Sequence, residues 1–503
     1  MTLMLWLFGL LSIIELCIIA PGIWHVRRPV AAGTAIGLAL VSGGIVGIRF
    51  SLATCVFALI SLYRVIGLLR LVQNRTEKHY LRRAVGRTTR TLLTVQLMLL
   101  GLLWLSDRLQ PKPDISWLVL SALQALVALV LLVSTQRQLR KTLPLAVNEH
   151  FSDEHLPSLS VCIPARNETE SLEECLRTLT GSNYPKLEIL VLDDCSQGPR
   201  TSDIIRAFAH DGVRFIQGTP PPDGWLAKNW GYQQLYEASS GALVLFCGVD
   251  IRFEPQALRT LVTTLLAKDK RMACVIPRNI RPTSIREKLA LLIQPARYAW
   301  ELCPPRQLFN RPPVLSSCWV AERSLLAKNG SFAAVRGTIT PEAHFARKAI
   351  ALRDGYTFVQ SAGELAVTSL KSRADQWDTA VRTRYPQLRK RPEMVLAVCV
   401  LELLVLVGPI PMLAVAIING LWIQTMLAGL AAGMGCVVYA EVVGVAYRSH
   451  KLLDPLLLPF AVLINVYIRH ESMWRYEFGE VTWKGRNVCM PVMRVIPRLP
   501  KIN

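Results

Sequence analysis

The stretch SVCIPARNETESLEECLRTLTGSNYPKLEILVLDDCS, Ser160 to Ser196, decides the architecture. Its first five residues are a short apolar run closed by Pro164, Ala165, Arg166 and Asn167. Leu172, Cys175, Leu176 and Leu179 then recur at three- and four-residue spacing, one face of a helix. A second apolar run over 189–192 ends in Asp193-Asp194. Strand, helix and strand in so few residues predict a βαβ unit with parallel strands. The pattern continues outward. Residues 204–208 read as helix, 214–216 as strand, 219–224 as a Pro/Gly loop, 228–237 as helix and 243–247 as a strand running to Asp250. Alternating elements predict a parallel α/β sheet, whose ligands bind beyond the carboxyl ends of its strands.

On either side of this segment the composition changes. The 503-residue chain is 51% hydrophobic and only 18% charged, against about a quarter charged in ordinary soluble proteins. Residues 1–24, 30–71, 92–106 and 117–134 are apolar, as are 394–418 and 427–447. The run 452–467 is shorter and carries Pro455 and Pro459, which fits a re-entrant or interfacial helix or a third span. Three regions follow: an N-terminal membrane region over 1–142 with about five spans, a soluble domain over 143–392, and a membrane or interfacial region with a basic tail over 393–503. The net charge of +21 does not point to nucleic acid. Its lysines and arginines flank the apolar runs, at 25–28, 70–90 and 137–141, where the positive-inside rule and anionic lipid account for them. Five N-terminal spans put all three clusters, and the central domain, on the cytoplasmic side of a cell membrane. The 12 cysteines form no CxxC pair and no metal spacing. In a reducing compartment they carry no disulfide, and the sequons at Asn167 and Asn329 are chance matches. Nothing in the sequence bears on oligomeric state.

Three acidic positions sit at strand ends or loop edges: Asp193-Asp194, Asp250, and Glu342 just before a helix at 343–349. Such acids often serve as solvated loop residues or helix caps. Their ordered occurrence also suits three other tasks: a hydrogen bond to a base or ribose, a ligand to a divalent cation, and a base for an acceptor hydroxyl.

The motif Ser160-Val-Cys-Ile-Pro-Ala-Arg-Asn-Glu168 resembles the opening strand of family 2 glycosyltransferases of the GT-A fold. Leu190-Val-Leu-Asp-Asp-Cys-Ser196 resembles that family's second strand, and Gly224-Trp-Leu-Ala-Lys-Asn-Trp230 its GW-x-GK-N loop. The resemblance covers about 159–391. It is greatest to membrane-bound enzymes of the hydroxychlorobactene and ceramide glucosyltransferase type, whose basic C-terminal motif Val481-Thr-Trp-Lys-Gly-Arg486 also resembles. It implies an α/β GT-A domain with transmembrane helices on both sides. It also implies an inverting transfer of a hexose from a nucleotide sugar, by family habit a UDP-sugar, to a membrane lipid or lipid-linked acceptor. Pro164, Ala165, Arg166 and Glu168 are implied to line the nucleotide pocket, Asp193 or Asp194 to contact the base, and Lys228 to sit near the pyrophosphate. Asp250 is implied to hold Mg2+ or Mn2+, and Glu342 to act as base. Trp225 and Trp230, beside Lys228, suit either stacking or packing, and Lys484 and Arg486 either the diphosphate or lipid headgroups.

Three departures stand out. Gly248 replaces the first aspartate of the DxD motif. Pro341-Glu342 replaces a Glu-Asp pair, with Ala343 after it. The QxxRW motif of processive enzymes is not present. The departures motivate a rival reading, a catalytically weakened sugar-nucleotide-binding assembly protein. Glu402 and Glu441 within apolar runs motivate a transporter as a third.

Overall fold

The computed structural model describes residues 113–144, 151–281, 290–305, 312–447, 453–477 and 479–489. The spans expected at 1–24, 30–71 and 92–106 and the basic clusters at 25–28 and 70–90 lie outside those residues. Helix α1 (Pro113–Thr142) leads into the α/β part. There α2 (Glu170–Thr180), α3 (Arg200–Ala207), α4 (Ala227–Ala238) and α5 (Ala257–Ala267) alternate with strands. Helices α6 (Ala290–Leu302), α7 (Arg323–Lys328), α8 (Pro341–Ala351) and α9 (Arg373–Gln387) follow. The chain then enters α10 (Pro392–Glu402), α11 (Pro409–Ile418), α12 (Trp422–Ala446) and α13 (Leu458–Glu477).

The strands of the main sheet are β1 (Leu159–Ala165), β2 (Leu187–Asp193), β3 (Val213–Gln217), β4 (Leu243–Cys247), β6 (Met272–Ile276), β8 (Cys318–Glu322) and β9 (Tyr356–Gln360). Their order is β3-β2-β1-β4-β8-β6-β9. A smaller sheet joins β5 (Ile251–Phe253), β10 (Val367–Ser369) and β7 (Arg278–Asn279). The first βαβ unit is as expected, with β1 and β2 parallel from Leu159↔Leu187 to Ala165↔Asp193. The all-parallel expectation fails at β8, which is antiparallel to both β4 and β6. After β7 the chain detours through α6 and re-enters the sheet at its carboxyl edge, where Cys318 pairs with Cys247. Entering there, it has to run backwards. The detour also delivers the residues before β8 to the ligand edge of the sheet.

The sheet buries both faces, so its strands read as nearly unbroken apolar runs. On one face α2 supplies Leu172, Cys175, Leu176 and Leu179, the four positions its periodicity marked, beside Val161, Ile163 and Val191. The alternate strand positions Cys162, Leu190, Leu192, Val244 and Phe246 point to the other face. There Phe246 stacks on Trp319 at 4.6 Å, and Phe332 and Phe345 close the group. This second core continues without a break into Val438, Tyr439 and Val442 of α12 and Ala461 of α13. Polar ties reinforce the junction: Asn279 Nδ2 donates to Ala446 O at 3.2 Å, and Tyr447 Oη to Ala290 O at 2.8 Å. The α/β domain and these helices therefore pack as one unit.

Trp117–Thr142 and Trp422–Ala446 are long and apolar enough to cross a membrane. Both bring their C-terminal ends to the α/β domain, since Lys268 Nζ donates to Leu143 O at 2.8 Å and Asn279 reaches Ala446. The single span expected over 394–418 is instead two helices bent by 44°. A π-turn over Leu403–Val407 and Pro409 interrupt the ladder. Gln124 Nε2 of α1 donates to Leu404 O at 2.7 Å, answering a carbonyl at the break. The apolar run with two prolines becomes α13, whose second half packs against α9. Ser472 Oγ donates to Val381 O there and accepts from Tyr385 N at 3.0 Å.

Candidate active site

A cavity of about 480 Å³ opens at the carboxyl edge of the sheet. It is walled by Pro164 and Glu168 after β1, Lys228 in the first turn of α4, Gly248 and Asp250 after β4, and Ser317 before β8. Lys371 and Arg382 close it from the α9 side, and Trp483, Lys484 and Arg486 from the C-terminal tail. The sequence thus located its floor. Four of the expected residues, Pro164, Glu168, Lys228 and Asp250, face it directly.

One end of the cavity is walled by the C-terminal tail. Strands β11 (Thr482–Trp483) and β12 (Arg486–Asn487) form a hairpin whose two-residue turn, Lys484-Gly485, has φ of 46° and 77°. Two successive left-handed residues make the tight turn that matches strand twist. Arg486 forks onto Asp194, with Nη1 at 2.8 and 2.7 Å from its two oxygens. Lys484 pairs with Glu168 and donates to Arg166 O at 2.9 Å. Arg166 turns back and donates to Asp194 O at 2.7 Å. Burial pushes the Asp194 carboxyl above its ordinary value, and the pairing with Arg486 pulls it back only in part. Ala165 is fully buried at the end of β1. Asp193 is buried too, and its Oδ1 accepts from Ser196 N at 3.0 Å, which fixes the turn after β2. Gly218 lets β3's exit pass this turn: a Cβ there would lie 2.5 Å from Asp193 O. Lys484 and Arg486 both line the cavity and are held there by carboxylates of the protein, Glu168 and Asp194.

The opposite end is built differently. Lys228 lies over the Tyr232 ring at 5.2 Å, and burial lowers its pKa to about 8, with the Glu342 charge opposing that shift. Glu342, at the start of α8, is 1% exposed and does not wall the cavity. Burial raises its pKa, and Lys228 counters. Asn229 explains how this acid is placed. Its Nδ2 donates to Val335 O and Thr338 O, both at 2.8 Å, clamping the segment that leads into α8. The GW-x-GK-N loop therefore positions Glu342, which spacing alone did not reveal. Of the two tryptophans, Trp225 lines the cavity, while Trp230 donates from Nε1 to Thr219 O at 3.1 Å. His344 does not wall the cavity.

Asp250 Oδ2 accepts from Ser369 Oγ at 3.0 Å, and Lys371 Nζ lies 3.8 Å from it. Among the described residues no three His, Cys, Asp or Glu side chains come together. A divalent cation fits here only with Asp250 as its one carboxylate and its remaining ligands from phosphate and water, a habit of Mg2+. Lys371, Ser369 and Arg382 were missed from the sequence because they arrive from β10 and α9, more than a hundred residues after Asp250.

The family model for glycosyl transferase family 2 matches residues 160–330. The chain is 36% identical over 114 residues to glycosyltransferase AglE of Haloferax volcanii, covering 22% of this chain and 36% of that protein. It is 32% identical over 124 residues to the probable glycosyltransferase YdaM of Bacillus subtilis, covering 24% and 29%. These alignments thus span about a third of each relative. Among solved structures, the mannosyltransferase PcManGT from Pyrobaculum calidifontis, in complex with GDP-Man and Mn2+, aligns at 16% identity with a TM-score of 0.42, over 74% of this chain and 99% of that one. The motifs at β1, β2 and the α4 loop, the mixed sheet and the sequence relatives agree. Residues 160–330 are a family 2 glycosyltransferase domain.

Proposed function

We propose that the protein transfers a hexose from a nucleotide sugar, a UDP-sugar by family habit, to a membrane lipid or lipid-linked acceptor, with inversion. The observation that carries this reading is the cavity at the sheet's carboxyl edge, in a domain whose core continues into two helices apolar enough to span a membrane. In this reading 143–392 is a cytoplasmic catalytic unit between membrane regions 1–142 and 393–503 of a multi-pass cell-membrane protein.

The base and ribose enter between Pro164, Glu168 and the hairpin, with Asp193 or Asp194 nearby. The diphosphate lies over the first turn of α4, where the helix dipole and Lys228 both offer positive charge. A divalent cation held by Asp250 would supply further positive charge to the leaving group. Lys228, drawn toward the diphosphate, uncovers Glu342. The Glu342 carboxylate accepts the acceptor hydroxyl's proton as its oxygen bonds the anomeric carbon. The bond from that carbon to the diphosphate oxygen breaks, and its electron pair leaves with the diphosphate. A carboxyl raised by burial suits this base role near neutral pH. The closed hairpin excludes water, which would otherwise compete as acceptor.

The test uses full-length protein in nanodiscs, radiolabelled nucleotide sugars, Mn2+ and a membrane-lipid extract. Label entering the organic phase with wild type, and not with Asp250→Ala, is the expected result. Donor binding without transfer or hydrolysis would instead support the assembly-protein reading, which the sealed Glu342 and Gly248 favour.

A further inference from the structure

The end of the cavity at Gly248 holds a cation that the mechanism above leaves without a task. Lys371 follows β10, walls the cavity, and places Nζ 3.8 Å from Asp250 Oδ2. The same oxygen accepts from Ser369 Oγ at 3.0 Å. The other oxygen has moved the opposite way. A Cβ built on Gly248 would stand 2.5 Å from Asp250 Oδ1, so the carboxylate leans into the space left by the missing side chain. Asp250 is therefore seated by a glycine gap, a hydroxyl and an ammonium together. Lys228, Lys371 and Arg382 all wall this end, as do Asp375 and Asp378 of α9, and among the described residues Asp250 is the one carboxylate within ion-pair distance of any of the three cations. The Arg382 guanidinium rests over the Trp483 ring at 5.6 Å. Three cations facing an open volume call for an anion with several acceptor oxygens.

An ammonium and a divalent ion cannot both sit on one carboxylate without strong mutual repulsion. A lysine stem, with four rotatable carbons, lets its head move a few ångströms at little cost. We propose that Lys371 is the resident counter-ion of Asp250 and a diphosphate-positioning residue. It neutralises the carboxylate before the donor arrives, and it turns to the donor's diphosphate oxygens when Asp250 takes up a divalent cation. Gly248 belongs to the same device, because it lets Asp250 lean within reach of Lys371 without a second acid alongside. The diphosphate half of this proposal rests on the transferase reading; the competition for Asp250 does not.

The exchange predicts opposite signs for one substitution. In Lys371→Ala, full length and in nanodiscs, Mn2+ alone, titrated without donor and followed by electron paramagnetic resonance, binds about tenfold more tightly than to wild type. In the same variant UDP or GDP, titrated by calorimetry in EDTA, binds about tenfold more weakly. Lys371→Arg keeps both wild-type values approximately, and its thermal melt shows that the fold survives substitution. Unchanged or weaker Mn2+ binding in Lys371→Ala overturns the proposal, as does nucleotide binding in EDTA that is indifferent to Lys371. If Mn2+ binding tightens while no nucleotide binds any variant under any condition, the counter-ion role stands and the donor reading falls.

Discussion

The two ends of the cavity differ in how their charges are resolved. At the hairpin end two acids are paired with cations: Asp194 with Arg486 and Glu168 with Lys484. At the α4 and α9 end, which Asp375 and Asp378 also line, Lys228 and Arg382 have no carboxylate within ion-pair distance among the described residues, and Lys371 has only Asp250 at 3.8 Å. The first arrangement is complete in the free protein, and buried pairs of that kind hold a loop in one place. The second is unfinished, as a site must be if an anionic ligand is to complete it. The comparison teaches that closure and an open cationic wall are divided along the cavity. The tail supplies the first, and the strand ends with α4 and α9 supply the second.

The largest expected effect lies at the unfinished end. Glu342→Gln keeps the shape of the buried side chain and removes its basicity, so turnover should fall by about 10²–10⁴ while donor affinity changes little. Steady-state kinetics that separate kcat from KM check this, and wild-type kcat would remove Glu342 from the mechanism. Next comes the completed end. Arg486→Ala leaves the buried Asp194 carboxylate without its fork. A loss of about 2 kcal/mol in urea unfolding, with faster hydrogen exchange confined to 482–487, is expected. Equal exchange in both proteins would mean that the tail is not held by charge.

The pH profile sharpens the contrast further. Glu342 titrates above the ordinary carboxylate range, and its basic form exists only above its pKa, so kcat/KM should climb through that point as pH rises. Lys228 loses its proton at about 8, so the charge it offers is present below that pH and fades above it. Lys484 also sits at about 8 and contributes to the same falling limb from the other end. Lys228→Arg and Lys484→Arg, compared by stopped assay across pH, apportion the limb; the larger alkaline recovery is expected from Lys228→Arg. The smallest effect belongs to Gly248→Ala. Its methyl meets only the end of the Asp250 side chain, which can swing away, so a several-fold loss in kcat/KM is expected rather than inactivation.

Much of the fold was legible because its signals are local. Helix α2 buries the four residues its spacing marked, and β1, β2 and β4 occupy the apolar runs that announced them. The direction of β8 was not legible, because its reversal is fixed by a detour through α6 and not by the apolar strand Cys318–Glu322 itself. The bend at Leu403–Val407 was missed for a related reason: hydropathy averages over a break that a π-turn and Pro409 impose. Of the residues marked by motif, Asp250 and Lys228 wall the cavity and Glu342 does not, and their surroundings were not legible. That Glu342 is buried, that Asn229 clamps the segment before α8, and that the tail reaches Asp194 are all long-range facts.

The sequence by itself determined the α/β unit, the apolar segments on either side and the acids at the strand ends, since each is written in periodicity or composition over a few turns of chain. Tertiary structure alone decided which charges meet. Residues 166, 194 and 486 are brought together across more than three hundred positions, and 250 and 371 across more than a hundred. Pairing of charges depends on distance and burial in space, and neither is encoded in the neighbours a residue has along the chain.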